Sequence, residues 1–212
     1  MSKNDYQKLV ERMLENDASS PMISSETGVK AAKKAGKLAT QEEIEWAVAG
    51  GLAMHFYGSP RMTKDVDIIA SNNLSLTPQH PLTFGGSSYT LKVGKYNVQI
   101  DWIVRSDGYR ELYRQALQEA ISLPNGLRVI TPEWLVILKF NAGRQKDLDD
   151  IVFLLKQKKL VDRPTVKQKV IATAGEWAWL TMLSGFRRLC DLADGNTKEP
   201  GKYDDADWPF QK

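Results

Sequence analysis

Trp46-Ala47-Val48-Ala49-Gly50-Gly51-Leu52-Ala53-Met54-His55-Phe56, with Asp65-Val66-Asp67-Ile68-Ile69-Ala70 shortly after it, sets the expectation for the fold. A short apolar run reaches paired glycines and resumes as a second apolar segment, the pattern of strand, tight turn and helix. Gly58-Ser59-Pro60 then breaks the helix. In the second stretch Val66, Ile68 and Ala70 alternate with Asp65 and Asp67, so a strand there points both aspartates to one face.

Downstream, Tyr89–Val93 and Tyr96–Val104 flank Gly94-Lys95 as a hairpin. Val98, Ile100, Trp102 and Val104 face one way on the second strand, and Asn97, Gln99 and Asp101 the other. Tyr109–Ala120 has helical periodicity, and Leu127–Ile130 reads as one more strand. From Pro132 the chain is helical, with Thr131 as cap and Pro132 at the first helical position. Gly143 marks a bend before a helix over Asp147–Lys158. Upstream, residues 4–16 form an amphipathic pattern around Leu9, Met13 and Leu14, Asp17–Thr27 reads as a loop, and Lys30–Leu38 as a basic helix. Asn72–Phe84 is expected to be a loop, and the residues after Asp191 a loose tail. Strands first and helices afterwards predict an α+β architecture: a mixed β-sheet flanked by helices, with a helical C-terminal part. The expected divisions are an extension over 1–40, a core over 41–130, helices over 131–190 and a tail over 191–212.

A chain of 212 residues, 42% hydrophobic and with six tryptophans, has enough apolar mass for a core without staples. Its apolar runs are too short to span a bilayer, and no secretory signal pattern opens it, so no membrane partner and a cytoplasmic location are expected. Cys190 stands alone, which suits a reducing compartment and excludes a disulfide framework. One cysteine and two distant histidines exclude a zinc site, leaving oxygen donors for any metal. The net charge of +3 does not establish nucleic-acid binding. The clusters over Lys30–Lys37 and Lys156–Lys169 are read either as solvated helix faces or as contacts to an RNA backbone.

Chemistry gathers at the aspartates. Asp65 and Asp67 share a strand face about 6–7 Å apart, and Asp101 on a neighbouring strand is placed to close the set. Three such carboxylates repel each other unless cations neutralise them. Hard oxygen donors suit Mg2+ or Mn2+, and a pair of such ions can serve phosphoryl transfer. Gly50 and Gly51 let backbone amides approach an anion closely. Singly, a Gly-Gly is an ordinary turn and an Asp-x-Asp an ordinary solvated strand edge; their order and spacing carry the weight.

Val48-Ala49-Gly50-Gly51-Leu52-Ala53, then His55, Gly58, Arg61, Thr63 and Asp65-Val66-Asp67, resembles the DNA polymerase β-like nucleotidyltransferase superfamily. Within it the pattern is most similar to the nucleotidyltransferase-like toxins of abortive-infection and toxin–antitoxin systems. Lys139-Phe140-Asn141-Ala142-Gly143-Arg144-Gln145-Lys146-Asp147-Leu148-Asp149-Asp150 resembles that group's later helical motif. The resemblance covers about residues 44 to 156. It implies a nucleotidyltransferase-type sheet and transfer of a nucleoside monophosphate from an NTP, with Mg2+ or Mn2+ as cofactor. Under it, Asp65, Asp67 and Asp101 hold the metals, and Asp101 assists deprotonation of the acceptor hydroxyl. Gly50, Gly51, Arg61 and Lys139 contact phosphates, and Arg144, Lys146, Asp147 and Asp150 support them. The implied acceptor is an RNA such as tRNA, or a protein, and an antitoxin the implied partner. Many superfamily members carry Gly-Ser at the turn; Gly51 has no hydroxyl, so triphosphate contacts fall to amides and basic side chains.

Alternatives stand beside these roles. Arg61 is equally a surface cation. Lys139, set in the apolar run Trp134–Leu138 and Phe140, needs water, a carboxylate such as Asp147 or Asp150, or a phosphate. Lys146 and Asp150 stand at pairing distance on a helix. His55 is read as a packed or rim residue, His80 as exposed, and Trp177 and Trp179 as the core of a terminal helical hairpin. Transfer to an antibiotic hydroxyl and a catalytically silent nucleotide-binding or interaction module are the competing functions.

Overall fold

The computed structural model describes residues 22–196. The helix expected over 4–16 and most of the expected tail lie outside that span. The described chain runs α1 (Ser25–Gln41), β1 (Trp46–Val48), α2 (Gly50–Phe56), β2 (Asp65–Ala70), β3 (His80–Pro81), β4 (Gly86–Val93), β5 (Tyr96–Ile103), α3 (Arg110–Gln118), β6 (Ile121–Ser122), β7 (Arg128–Val129), α4 (Pro132–Ala142), α5 (Gln145–Lys156) and α6 (Arg163–Asp194). This is the expected α+β arrangement, a mixed sheet with a helical C-terminal part. The chain divides into two compact units, one through Leu135 and the other from Val136. Among the described residues no helix is long and apolar enough to cross a membrane.

In the first unit, seven strands pair in the order β3-β4-β5-β2-β1-β7-β6. β2 runs parallel to β5 and β1 parallel to β7, and the other pairs are antiparallel. Trp46, Ala47 and Val48 are all buried because β1 lies inside the sheet with both faces covered. One face carries Trp46, Val66, Ile68, Val98, Ile100 and Trp102, all buried, and α1 packs on it. The buried stripe of α1 is Gly28, Ala31, Ala32, Ala35, Gly36 and Ala39, small residues that bring helix and sheet close together. At Gly36 a Cβ would fall 2.0 Å from the Trp46 ring. The α1 helix begins earlier than expected, at Ser25, because the Ser24 hydroxyl accepts the Thr27 amide at 3.2 Å and caps it. That shortens the expected loop over Asp17–Thr27. Asn72–Phe84 is interrupted by the two-residue strand β3, and β6 is a strand that sequence periodicity did not show.

In the second unit, α5 leads into α6, whose Gly175 has non-helical φ 86° and ψ 169°. An unbroken helix of that length would hold its ends about 48 Å apart. Arg163 at its start instead forms a two-pronged ion pair with Asp194 at its end, at 2.7 and 2.6 Å, so the chain reverses at Gly175. Helix persists to Asp194 and stops at left-handed Gly195, later than the expectation of a loose tail from Asp191. Trp179 is buried and meets Phe186 edge-to-face at 5.7 Å, as a hairpin core requires. Trp177 departs from that expectation: two residues after the break it faces outward and is 77% exposed.

Candidate functional site

The register of β2 and β5 positions the acidic set. Asp67 is the direct neighbour of Asp101, and Asp65 of Gln99. Paired residues on adjacent strands share a face and lie about 5 Å apart. Val66, Ile68, Ile100 and Trp102 therefore anchor the two strands in the core, while Asp65, Asp67, Gln99 and Asp101 stand half-buried on the opposite face. Because α1 occupies the apolar face, its lysines lie across the sheet from the aspartates. Lys30 pairs with Glu26 at 2.6 Å and Lys34 donates to the Lys92 carbonyl at 3.1 Å, which is the behaviour of a solvated helix face.

The glycine turn meets this face directly. Gly50 has φ +53°, and a Cβ there would lie 1.7 Å from Asp67 Oδ2. The site thus requires glycine twice over, for the left-handed backbone and for the space the carboxylate occupies. A Cβ on Gly51 would lie 2.5 Å from Thr63 Oγ1. The Ala49 amide donates to the Asp67 carbonyl at 2.9 Å and the Gly51 amide reaches Asp67 Oδ2 at 3.4 Å. The helix α2 that follows is seven residues long, so its dipole is short, and what the turn offers an anion is chiefly its amides.

Each aspartate accepts from a neutral donor close by. Thr63 Oγ1 lies 3.1 Å from both Asp65 Oδ1 and the Asp65 carbonyl, and Gln99 Nε2 donates to Asp101 Oδ1 at 2.9 Å. Strand register and donor chemistry suit a hard divalent cation. The side chains as turned in the structure do not close around one: among the described residues no group of three or more His, Cys, Asp or Glu is arranged to hold a metal ion. Binding would require the carboxylates to turn from partners that include Thr63, Gly51 and Gln99 toward the ion, whose charge would neutralise them. Gln99 was legible as a neighbour of Asp101 by alternation. Thr63 gave only its spacing before Asp65.

Arg61 is half-buried, and its backbone is pinned: its amide donates to Ser59 Oγ at 3.3 Å and its carbonyl accepts from His55 Nε2. Since a carbonyl only accepts, Nε2 carries the proton in neutral His55, leaving Nδ1 to accept the Ser25 hydroxyl at 2.8 Å. His55 therefore ties the start of α1 to the loop before β2, a packing role. His80 is exposed.

In the second unit Lys139 is buried, and its ammonium donates to Asp147 Oδ1 at 3.1 Å and Asp150 Oδ2 at 2.7 Å. Of the three partners open to it, the structure supplies the carboxylates. Arg144 Nε donates to Asp147 Oδ2 at 2.6 Å, completing two cations against two carboxylates. Burial pushes the Asp147 carboxyl up, but the Arg144 hydrogen bond and the Lys139 charge outweigh it and hold it below the ordinary carboxylate range. Lys146 is exposed on α5.

A scan against protein-family models finds no match, and a search of curated proteins finds none. The chain is similar to the crystal structure of an antigenic nucleotidyltransferase-like protein from Paracoccidioides brasiliensis, at 16% identity over 82% of this chain and 95% of that one, with a TM-score of 0.47. It is also similar to the solution structure of the antibiotic-resistance factor ANT(2'')-Ia, at 11% identity over 81% of this chain and 97% of that one, with a TM-score of 0.35. At such distances the residues themselves must carry the functional reading.

Proposed function

We propose that the chain is a metal-dependent nucleotidyltransferase that moves a nucleoside monophosphate from an NTP to a hydroxyl acceptor. The observation that supports this most is the contact of Gly50 with Asp67: the glycine turn and the aspartate face, separate in sequence, meet at one carboxylate. Asp65, Asp67 and Asp101 are the residues that would hold Mg2+ or Mn2+, which when bound would neutralise phosphate charge and activate the acceptor oxygen. Gly50 and Gly51 bring the backbone close enough to seat a triphosphate without a side chain in the way. Asp101 accepts the proton of the acceptor hydroxyl. Arg61, whose backbone His55 and Ser59 fix, is the cation proposed for the phosphates. Lys139 could reach a phosphate only by giving up carboxylates that already hold it.

The acceptor proposed is an RNA such as tRNA, or a protein, and the biological setting a toxin-like defence or growth-arrest system with an antitoxin partner. The motif resemblance supports this setting; the α1 lysines do not supply it with an RNA surface beside the aspartates. Incubation with each α-labelled NTP, Mg2+ or Mn2+, total RNA and protein extract tests the reading. Label entering one pool is expected and would name nucleotide and acceptor class together. Transfer of γ-label instead would make the protein a kinase, and transfer of neither, with nucleotide still bound, would leave a silent binding module.

A further inference from the structure

Ser88 on β4 is the direct neighbour of Asp101 on β5, which is in turn the neighbour of Asp67 on β2. Directly paired residues share a face, so one row of side chains crosses three strands as Ser88, Asp101 and Asp67. Ser88 is 0% exposed. Among the described residues its Oγ is the buried side-chain polar atom that has no hydrogen-bond partner. Its neighbour Asp101 meanwhile accepts from Gln99, two positions away on the same strand. A buried hydroxyl left unpaired is costly, and alanine would fill the place without that cost, so the hydroxyl itself calls for a use.

We propose that Ser88 is a positioning residue for the acidic site, an inference that rests on the nucleotidyltransferase reading. When the Asp101 carboxylate leaves Gln99 to face a divalent cation beside Asp67, the Ser88 hydroxyl donates to the carboxylate oxygen turned away from the ion. The hydroxyl suits this place because it is small, neutral and a donor. It fixes the carboxylate without competing for the charge, as a lysine would. The unpaired state of Ser88 and the Gln99-bound state of Asp101 then belong to one resting arrangement of the row, and both are resolved by the same rotation.

The test is Mn2+ titration of the full chain by electron paramagnetic resonance with a non-hydrolysable ATP analogue, with thermal unfolding in chelator alongside. Ser88→Ala is expected to weaken Mn2+ binding about tenfold, the usual cost of losing a group that orients a metal ligand. In chelator its Tm is expected to equal or exceed that of wild type, because the unpaired hydroxyl is gone. Ser88→Cys keeps a weak donor in a somewhat larger side chain and should fall between the two. Wild-type Mn2+ affinity in Ser88→Ala would overturn the inference. So would a fall in chelator Tm that matches the loss of binding, since the role would then be packing. Asp67→Asn separates the two levels: if wild type binds Mn2+ and Asp67→Asn does not, the functional reading stands whatever Ser88 does. If wild type binds none, the functional reading and this inference fall together.

Discussion

The molecule carries two acidic clusters, and they differ in how deeply they are buried. In the second unit Asp147 and Asp150 are buried with Lys139, and the exposed Arg144 closes over Asp147, two charges against two, each held by hydrogen bonds of 2.6–3.1 Å. On the sheet of the first unit Asp65, Asp67 and Asp101 are half-buried, and they accept from the Thr63 hydroxyl, the Gly51 amide and the Gln99 carboxamide. Closing a buried ion cluster from within the chain leaves nothing for a ligand to neutralise. Carboxylates gathered on one half-buried strand face are a set whose mutual repulsion an incoming cation can relieve. Under the proposed function the first cluster serves stability and the second chemistry.

Substitutions that separate stability from chemistry probe that contrast. Asp101→Asn keeps the shape of the sheet and removes one charge, so nucleotide transfer is expected to fall by about 10²–10³ with little change in Tm. Lys139→Met takes the buried ammonium from two buried carboxylates and is expected to cost about 3 kcal/mol in urea unfolding, while the folded variant keeps its transfer rate. Loss of transfer in folded Lys139→Met would instead assign Lys139 to a phosphate. Gly50→Ala forces a methyl into the Asp67 carboxylate at a left-handed backbone, and about 1–3 kcal/mol of stability should go with part of the transfer rate. The smallest effect is on pH dependence. Because the folded Asp147 carboxyl sits below its reference of 3.8, its contribution is present above that value and is lost as pH falls through the folded one. Asp147→Asn should therefore flatten the decline of stability below about pH 4 in urea titrations, though Glu111 and Asp194, held low by Arg114 and Arg163, keep part of the slope.

The aspartate face was legible before the structure because alternation is a strong signal wherever a strand has one buried side. Val66 and Ile68 fix the direction of Asp65 and Asp67, and Ile100 and Trp102 that of Asp101. The register that sets Asp67 beside Asp101 was not legible, since strand pairing between distant segments leaves no local trace. Short edge strands such as His80–Pro81 are held by pairing alone and have no period to read. The α1 helix showed its lysines, while its packing face is glycine and alanine, which hydrophobic patterning underweights. Lys139 had three open partners because the sequence could not say which side chains its burial would bring within reach. Ser88 looked like any strand serine; only its register with Asp101 and its missing hydrogen bond make it notable.

Pyrophosphate release from NTP by Asp67→Asn, measured beside wild type and normalised to the folded fraction, bears most directly on whether the sheet aspartates carry the chemistry. Wild type should release pyrophosphate only with a divalent cation, and folded Asp67→Asn should release about 10²–10³-fold less. Undiminished release from folded Asp67→Asn would contradict the assignment and place the reaction elsewhere in the molecule.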